Sequence, residues 1–189
     1  MIITKRYNRE NAVTYARRWA LSRNPLFYDF TGGGGDCTNF VSQCLLAGSC
    51  TMDYTRTFGW YYLSADDRAP AWSGVEFFYN FMVGNQGVGP FGRAVPIDEL
   101  EIGDVIQLAD GEGDFYHTLI ISGFEGNDIL ICAHSNDALD RRLSTYNYGS
   151  LRVLHIEGIL VDLAQDAAFQ NLLDGAALQV IVSRTENVV

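Results

Sequence analysis

Positive charge is scarce in this chain of 189 residues. Lys5 is its single lysine, and 13 Lys and Arg side chains against 23 Asp and Glu give a formal net charge of −10. Nucleic-acid-binding proteins generally use lysine and arginine side chains to neutralise the phosphates. The composition therefore argues against a nucleic-acid partner.

Long apolar runs are also missing. No run approaches the roughly 20 residues that a membrane-crossing helix needs, so the sequence predicts no membrane span. The N-terminal segment MIITKRYNRENAVTYARRWA lacks the apolar core of a secretion signal. The chain as written is therefore expected in the cytoplasm, and secretion remains open if a leader precedes it in a longer precursor.

The chain has only four cysteines and three histidines. Four cysteines are too few for a disulfide scaffold, and Cys37 and Cys44 would stand about 10 Å apart on a helix, too far to bond. No C-x₂₋₄-C pair and no HExxH motif is present, so no metal site is predicted. The glycines before Cys37 are not followed by Lys-Ser/Thr, which argues against a nucleotide loop. No cofactor is expected.

Hydrophobic residues make up 48% of the chain, enough for a folded core. Helical periodicity and capping signals predict three helices. They span residues 9–23, residues from Cys37 to a closing Gly48, and residues 74–83 with a Ser73/Glu76 capping box. Four short β-branched segments predict an antiparallel meander. These segments are residues 104–109, 115–122, 128–135 and 151–157.

Helices first and strands second indicate the α+β fold class. We expect one domain over residues 1–159, with an aromatic-rich insertion at about 49–95. This insertion either packs a small second core or lines a substrate groove. Residues 160–189 are expected to add one helix and one strand to the same domain.

Cys37 is the candidate nucleophile. A thiol in the first turn of a helix lies at the positive end of the backbone dipole, which favours the thiolate. The four glycines before it allow close approach of a substrate, and the Cys37 amide could face a developing oxyanion. Cys44 and Cys132 instead fit apolar core patterns.

A thiol nucleophile needs a base. His117 opens the segment HTLIIS after a turn rich in glycine and acidic residues, so its ring could face the helix. His134 lies near the end of the next strand, where antiparallel pairing could place it beside His117 to orient the imidazole. Asn136 and Asp137 are the alternative orienting residues, and His155 fits a histidine on a sheet face.

Four segments together resemble a known family. They are GGDCTNFVSQCLLAG (34–48), L-x-x-GD (100–104), YHTLIISG (116–123) and ICAHSND (131–137). This chain is similar, over about residues 7–155, to the putative amidase domain of the NlpC/P60 and CHAP superfamily of papain-like cysteine hydrolases. The resemblance implies a papain-like core whose nucleophile-bearing helix packs on an antiparallel sheet.

The resemblance also implies roles for individual residues. Cys37 would be the nucleophile, His117 the general base and then acid, and His134 the third member of the site. Tyr28 is the counterpart of an aromatic residue that lines the site in related families. The substrate would be a peptide or amide, in relatives often a bacterial cell-wall peptide cleaved through a thioester.

Two other functions remain open. The same Cys-His site could transfer the acyl group to an amine or hydroxyl instead of water. Alternatively, the chain could be a non-catalytic module that binds a glycan or a protein through the aromatic residues of segment 54–81. The sequence does not determine the physiological substrate or the oligomeric state.

Overall fold

The computed structural model describes residues 1–162. It contains the four helices α1 (Arg9–Trp19), α2 (Cys37–Ser49), α3 (Pro70–Ser73) and α4 (Val75–Gly84). Its strands are β1 (Ile2–Lys5), β2 (Gly89–Val95), β3 (Val105–Ala109), β4 (Phe115–Glu125), β5 (Asp128–Ala133), β6 (Ala138–Arg142) and β7 (Ser150–Asp162). The predicted α+β class is confirmed.

The strands of this described region form one antiparallel sheet in the order β1-β7-β3-β4-β5-β6, and β2 pairs with residues 153–160 of β7 along its other edge. The predicted meander is right for β3, β4 and β5. It is wrong for β7, which returns across the sheet to pair with β3. Strands β1, β2 and β6 are short or contain Gly and Pro, so their residues give no clear alternating pattern.

The two faces of the sheet bury different residues because side chains alternate along a strand. The helix-covered face contributes Val105, Ile120, Cys132 and Leu154 to a core shared with α1, α2 and α4. The opposite face buries Ile106, Leu108, Leu119 and Ile121 together with loop residues. Neighbouring residues of β4 therefore belong to different cores.

The aromatic insertion joins the helix-side core. Trp60, Trp72 and Phe78 are fully buried in the cluster that also holds Phe40 of α2. Other rings of the insertion remain at the surface, with Phe58 81% exposed. The insertion thus extends the main core and does not build a second one.

The C-terminal ends of two helices differ from the prediction, each for a local reason. Helix α1 ends at Trp19 because the Trp19 carbonyl accepts from Ser22 N and from a histidine ring. Gly48 lies inside α2, where a Cβ would come within 2.3 Å of the Tyr7 ring. The helix closes instead at Cys50, in the left-handed region with φ 50°.

The predicted capping box is wrong, although the helix it marks is present. Helix α4 begins after Gly74 without a side-chain cap. Ser73 Oγ accepts from Arg68 Nε, and Glu76 pairs with Arg152. Both side chains are used in tertiary contacts.

Helices long and apolar enough to cross a bilayer do not occur among residues 1–162. Strand β7 continues to Asp162, past the domain limit expected at residue 159. The helix and strand predicted within residues 160–189 otherwise lie outside the described residues.

Candidate active site

Cys37 is the opening residue of α2, as the sequence predicts. Cys37 is buried, with 7% of the residue exposed to solvent. The backbone N–H groups of the first helical turn have no helical partner, and the helix dipole is positive at this end. Sγ lies 3.8 Å from Thr38 Oγ1. A negative charge on this sulfur would therefore be stabilised.

The loop before Cys37 needs its glycines. Gly34 and Gly35 adopt φ values of +112° and +107°, a region that side chains with a Cβ rarely enter. The amide of Gly35 donates to Phe30 O, which folds the loop back on itself. This loop conformation therefore fixes the direction in which the chain enters α2.

Asp36 is the side chain that ties this loop to the rest of the molecule. The residue is fully buried and does not cap α2 in the usual way. Its Oδ1 accepts from Phe30 N at 3.0 Å and from Asn39 Nδ2 at 2.7 Å. Its Oδ2 lies 2.7 Å from His134 Nδ1. Asp36 thus fixes the residue that directly precedes Cys37.

His134 follows strand β5 and has both ring nitrogens engaged. Nδ1 lies 2.7 Å from Asp36 Oδ2 and Nε2 lies 2.9 Å from Trp19 O. A carbonyl oxygen only accepts, so Nε2 donates to Trp19 O, and Nδ1 shares one hydrogen bond with the Asp36 carboxyl group. Its ring stacks on Phe40 at a centroid distance of 3.9 Å.

These contacts differ from the expectation for His134. The sequence reasoning placed the ring beside His117 as an orienting residue. The structure directs both nitrogens to Asp36 and Trp19, because the end of β5 faces α1 and the start of α2. In this conformation His134 holds the loop before Cys37 in place. Its part in catalysis stays a prediction.

The two alternative orienting residues lie in the same turn. Asp137 forms hydrogen bonds through both carboxylate oxygens to Arg23, at 2.9 and 3.0 Å. Asn136 is exposed and has φ 79°. Between them and His134, Ser135 Oγ accepts from Asp36 N at 2.7 Å. The turn at residues 134–137 is thus linked by hydrogen bonds to Asp36, the residue before Cys37.

His117 is the third residue of β4 and is 8% exposed. It pairs with Leu108, and its ring lies 6.1 Å from the Tyr116 ring and 6.2 Å from the Tyr146 ring. Burial, with a smaller contribution from Arg141, lowers the pKa of His117 to about 4. The imidazole is therefore neutral at pH 7.

The alternation of β4 separates His117 from α2. Thr118 points to the helix-covered face, where its Oγ1 lies 2.8 Å from Thr38 Oγ1. His117 shares the opposite face with Leu108 and Leu119. Cys37 and His117 are therefore the chain neighbours of Thr38 and Thr118, which share this hydrogen bond. Within residues 1–162 no hydrogen bond joins Cys37 and His117 directly.

His155 is a sheet histidine, and its side chain contacts the GD segment. Its Nδ1 lies 2.8 Å from Asp104 Oδ2, and Asp104 Oδ1 accepts from Arg9 NH1 at 2.6 Å. Asp104 is fully buried. The GD segment therefore anchors helix α1 and strand β7 and has no contact with Cys37 among the described interactions.

Tyr28 lies on the loop that approaches α2. Its carbonyl accepts from Asn39 Nδ2 at 3.1 Å, and its amide donates to Tyr62 OH at 2.9 Å. The residue is 57% exposed. Its backbone is thus tied to the first turn of α2 while the side chain remains accessible, and its proposed role in lining the site stays a prediction.

The structure adds residues that sequence reasoning missed. Asp36 and Thr38 flank Cys37 in the string DCTNF, and Thr118 follows His117. The signal available in the sequence was that each of these three residues is adjacent to Cys37 or His117. Gln107 lies within the predicted strand 104–109 and carried no signal. Among the described residues, no three His, Cys, Asp or Glu side chains are grouped to hold a metal ion.

Replacing Asp36 by asparagine is expected to weaken the fold. Asp36→Asn keeps the shape but replaces one buried carboxylate oxygen by an NH₂ group, and leaving a buried hydrogen-bond partner unsatisfied costs about 1–3 kcal/mol. The matched control is Asp137→Asn, whose ion pair with Arg23 is partly exposed and contributes about 1 kcal/mol or less. Urea unfolding measures both, and equal effects would contradict this assignment.

Comparison with known proteins gives a family match. Residues 6–156 match the family described as "Putative amidase domain". "Uncharacterized protein YhbB" of Bacillus subtilis (strain 168) is 34% identical over 139 residues, which cover 70% of this chain and 42% of that protein. The chain therefore spans less than half the length of this relative. No solved structure matches the chain.

Proposed function

This chain belongs to the putative amidase domain family, and on that premise we propose that it is a cysteine-dependent amidohydrolase with Cys37 as its nucleophile. The observation that carries the proposal is the position of Cys37 as the first residue of α2. A thiol there lies in the positive field of the helix and beside unpaired backbone N–H groups. The family itself indicates amide hydrolysis.

The proposed reaction has two steps. The Cys37 thiolate attacks the amide carbonyl, and backbone N–H groups at the start of α2 donate to the oxyanion that develops. The base takes the Cys37 thiol proton and gives it to the leaving amine, which leaves a thioester on Sγ. The same base then takes a proton from water, hydroxide attacks the thioester, and the base returns that proton to Sγ as the acid leaves, which restores the thiol.

We assign the base to His117 because its ring can accept a proton. Both ring nitrogens of His134 are engaged, by Asp36 and by Trp19 O, and His155 bonds Asp104. Within the described residues the His117 nitrogens form no hydrogen bond, and the lowered pKa of about 4 keeps the ring neutral.

The His117 ring and helix α2 lie on opposite faces of strand β4, so the proposal requires the first residues of β4 to rotate and bring the ring to Sγ when a substrate binds. Strand β4 begins only two residues before His117, and the pairing of β3 with β4 is irregular between Leu108 and Ala109. The start of β4 is therefore the segment where such an adjustment would occur.

The pH dependence of kcat/KM follows from this assignment. A protonated imidazole cannot act as the base, so kcat/KM is expected to fall as the pH drops through about 4, the value to which burial lowers the pKa of His117. Activity should be unchanged by imidazole titration between about pH 5 and 7. An acid limb near the ordinary histidine value of about 6.5 would contradict a base in this buried environment.

The substrate is proposed to be a peptide or amide of the bacterial cell wall, and the core is proposed to be papain-like. Both proposals rest on the resemblance of GGDCTNFVSQ and the later histidine segments to NlpC/P60 and CHAP hydrolases. The order of elements supports the fold proposal. Helix α2 packs on the sheet whose strand β4 carries His117, and α2 comes before both His117 and His134 in the chain. The family match supports the amide as the reacting group.

The test is product analysis with wall-derived peptides and simple N-acyl amides, with and without added amine. Release of free acid and amine supports hydrolysis, and its loss after iodoacetamide treatment supports the thiol. A product joined to the added amine would make the chain an acyltransferase. Binding without turnover, unchanged by Cys37→Ala, would make it a binding module that uses exposed rings such as Phe58 and Phe77.

A further inference from the structure

A buried row of polar side chains runs from strand β7 to the candidate nucleophile. Arg152, Gln107, Thr118 and Thr38 follow one another in hydrogen-bond contact, and Thr38 ends at Cys37. The two threonines and Gln107 are fully buried. Arg152 is partly exposed at the sheet end of the row, and the three other residues lie away from water, so their donors and acceptors must find partners within the protein.

Arg152 fixes the orientation of the Gln107 amide. Arg152 Nε donates to Gln107 Oε1 at 2.7 Å, so the amide oxygen faces the guanidinium. Gln107 Nε2 then donates one hydrogen to Val75 O at 2.9 Å and the other to Thr118 Oγ1 at 3.2 Å. Both amide hydrogens are used, and Thr118 is an acceptor at this contact.

The direction of the remaining hydroxyl hydrogens follows from the requirement that each buried donor has an acceptor. Thr118 Oγ1 and Thr38 Oγ1 lie 2.8 Å apart, and one of them donates. If Thr38 donated, the Thr118 hydrogen would have no acceptor among the described residues. Thr118 therefore donates to Thr38, and the Thr38 hydrogen is directed to Cys37 Sγ at 3.8 Å. The row ends with a donor on the sulfur.

A fixed positive charge stands at the other end of the row. The Arg152 guanidinium lies 3.6 Å from the centroid of the Tyr79 ring and 3.8 Å from that of the Phe115 ring. It also pairs with Glu76 at 2.8 Å. Connected hydrogen bonds in a region of low dielectric constant polarise one another. A cation held in this way polarises the amide and both hydroxyls towards the sulfur.

We propose that Thr118 and Thr38, aligned by Gln107 and Arg152, are positioning residues that direct a hydroxyl hydrogen to Cys37 Sγ and stabilise its negative charge. This inference rests on the proposed function, in which Cys37 reacts as a thiolate. It assigns a role to polar residues on β3, β4 and β7 that do not themselves touch the substrate.

The test is the rate at which iodoacetamide alkylates Cys37 at neutral pH, with the modified residue identified by mass spectrometry. All variants carry Cys50→Ser, which removes the exposed thiol, and Cys44 and Cys132 are 0% exposed against 7% for Cys37. Thr118→Val removes the hydroxyl and keeps the shape, and Thr118→Ser keeps the hydroxyl. Ser42→Ala is the matched control, because Ser42 is a buried hydroxyl of α2 that bonds Trp72 O and Trp60 Nε1.

Thr118→Val removes the hydroxyl that directs the Thr38 hydrogen to Sγ, and alkylation is expected to slow by up to about tenfold, the size of one lost hydrogen bond to a charged group. Thr118→Ser and Ser42→Ala are expected to react near the parent rate. An unchanged rate in Thr118→Val, or a Thr118→Ser rate as slow as that of the valine variant, would overturn the inference. If circular dichroism shows that Thr118→Val does not fold, Thr38→Val and Thr38→Ser decide by the same comparison.

Alkylation needs no substrate, so this test is separable from the proposed function. If Thr118→Val reacts slowly but the parent cleaves no amide, the hydrogen-bond row stands and the amidase proposal fails. If the parent cleaves amides and Thr118→Val is alkylated at the parent rate, the row is overturned and the amidase proposal stands.

Discussion

Replacing Cys37 by alanine is expected to lower kcat for amide hydrolysis by about a thousandfold or more, because no other group can form the thioester. The fold should tolerate the change, since the residue lies at the end of α2 and the smaller side chain creates little empty space. Initial rates with a cleavable amide measure the loss, and circular dichroism reports the fold.

Cys50→Ser is the control for the alanine variant. Cys50 is an exposed thiol that closes α2, so it is available to reagents but lies at the opposite end of the helix from Cys37. We expect this variant to keep its activity. Full turnover by Cys37→Ala, or a comparable loss in Cys50→Ser, would refute the assignment of the nucleophile.

Replacing His117 by glutamine is expected to lower kcat by about 10²–10⁴-fold, the range attributed to a general acid–base residue. Glutamine fills a similar volume and retains a polar end, but it cannot take the thiol proton. The steady-state kcat at pH 7 is the measurement, with the unfolding free energy determined in parallel to exclude a structural cause.

Two histidine variants complete this comparison. His134→Gln is expected to lower the unfolding free energy, because the glutamine cannot bond both Asp36 and Trp19 O as the ring does. His155→Gln removes a ring that bonds Asp104 and serves as the matched control. If His134→Gln folds as stably as the parent and loses more activity than His117→Gln, the base is His134 and the assignment here is wrong.

The helix that carries Cys37 was predictable from local sequence. Glycines permit the turn that precedes it, and the apolar spacing of Phe40, Val41 and Cys44 marks its buried face. Strands β3, β4 and β5 were predictable because β-branched runs separated by turn residues are local signals. The closing position of α2 was not, since Gly48 is needed by the packing of Tyr7 and not by a helix end.

The candidate site was only partly predictable. Cys37 at a helix start follows from residues next to it in the chain. The partners of His134 depend on where α1 ends and on which carboxylate the fold buries beside it, and neither is encoded near residue 134. The side of β4 on which His117 lies depends on the register with β3, which a single sequence does not specify.

The amino-acid sequence by itself determined the α+β class, the helix start at Cys37 and the short supply of histidines that could act as a base. These features depend on local periodicity and composition. Only the tertiary structure decided that His134 pairs with Asp36, that Thr118 and not His117 faces α2, and that Arg152 is connected to Cys37 through buried side chains. Those contacts join residues distant in the chain, and the burial that gives them their strength exists only once the sheet and helices have packed.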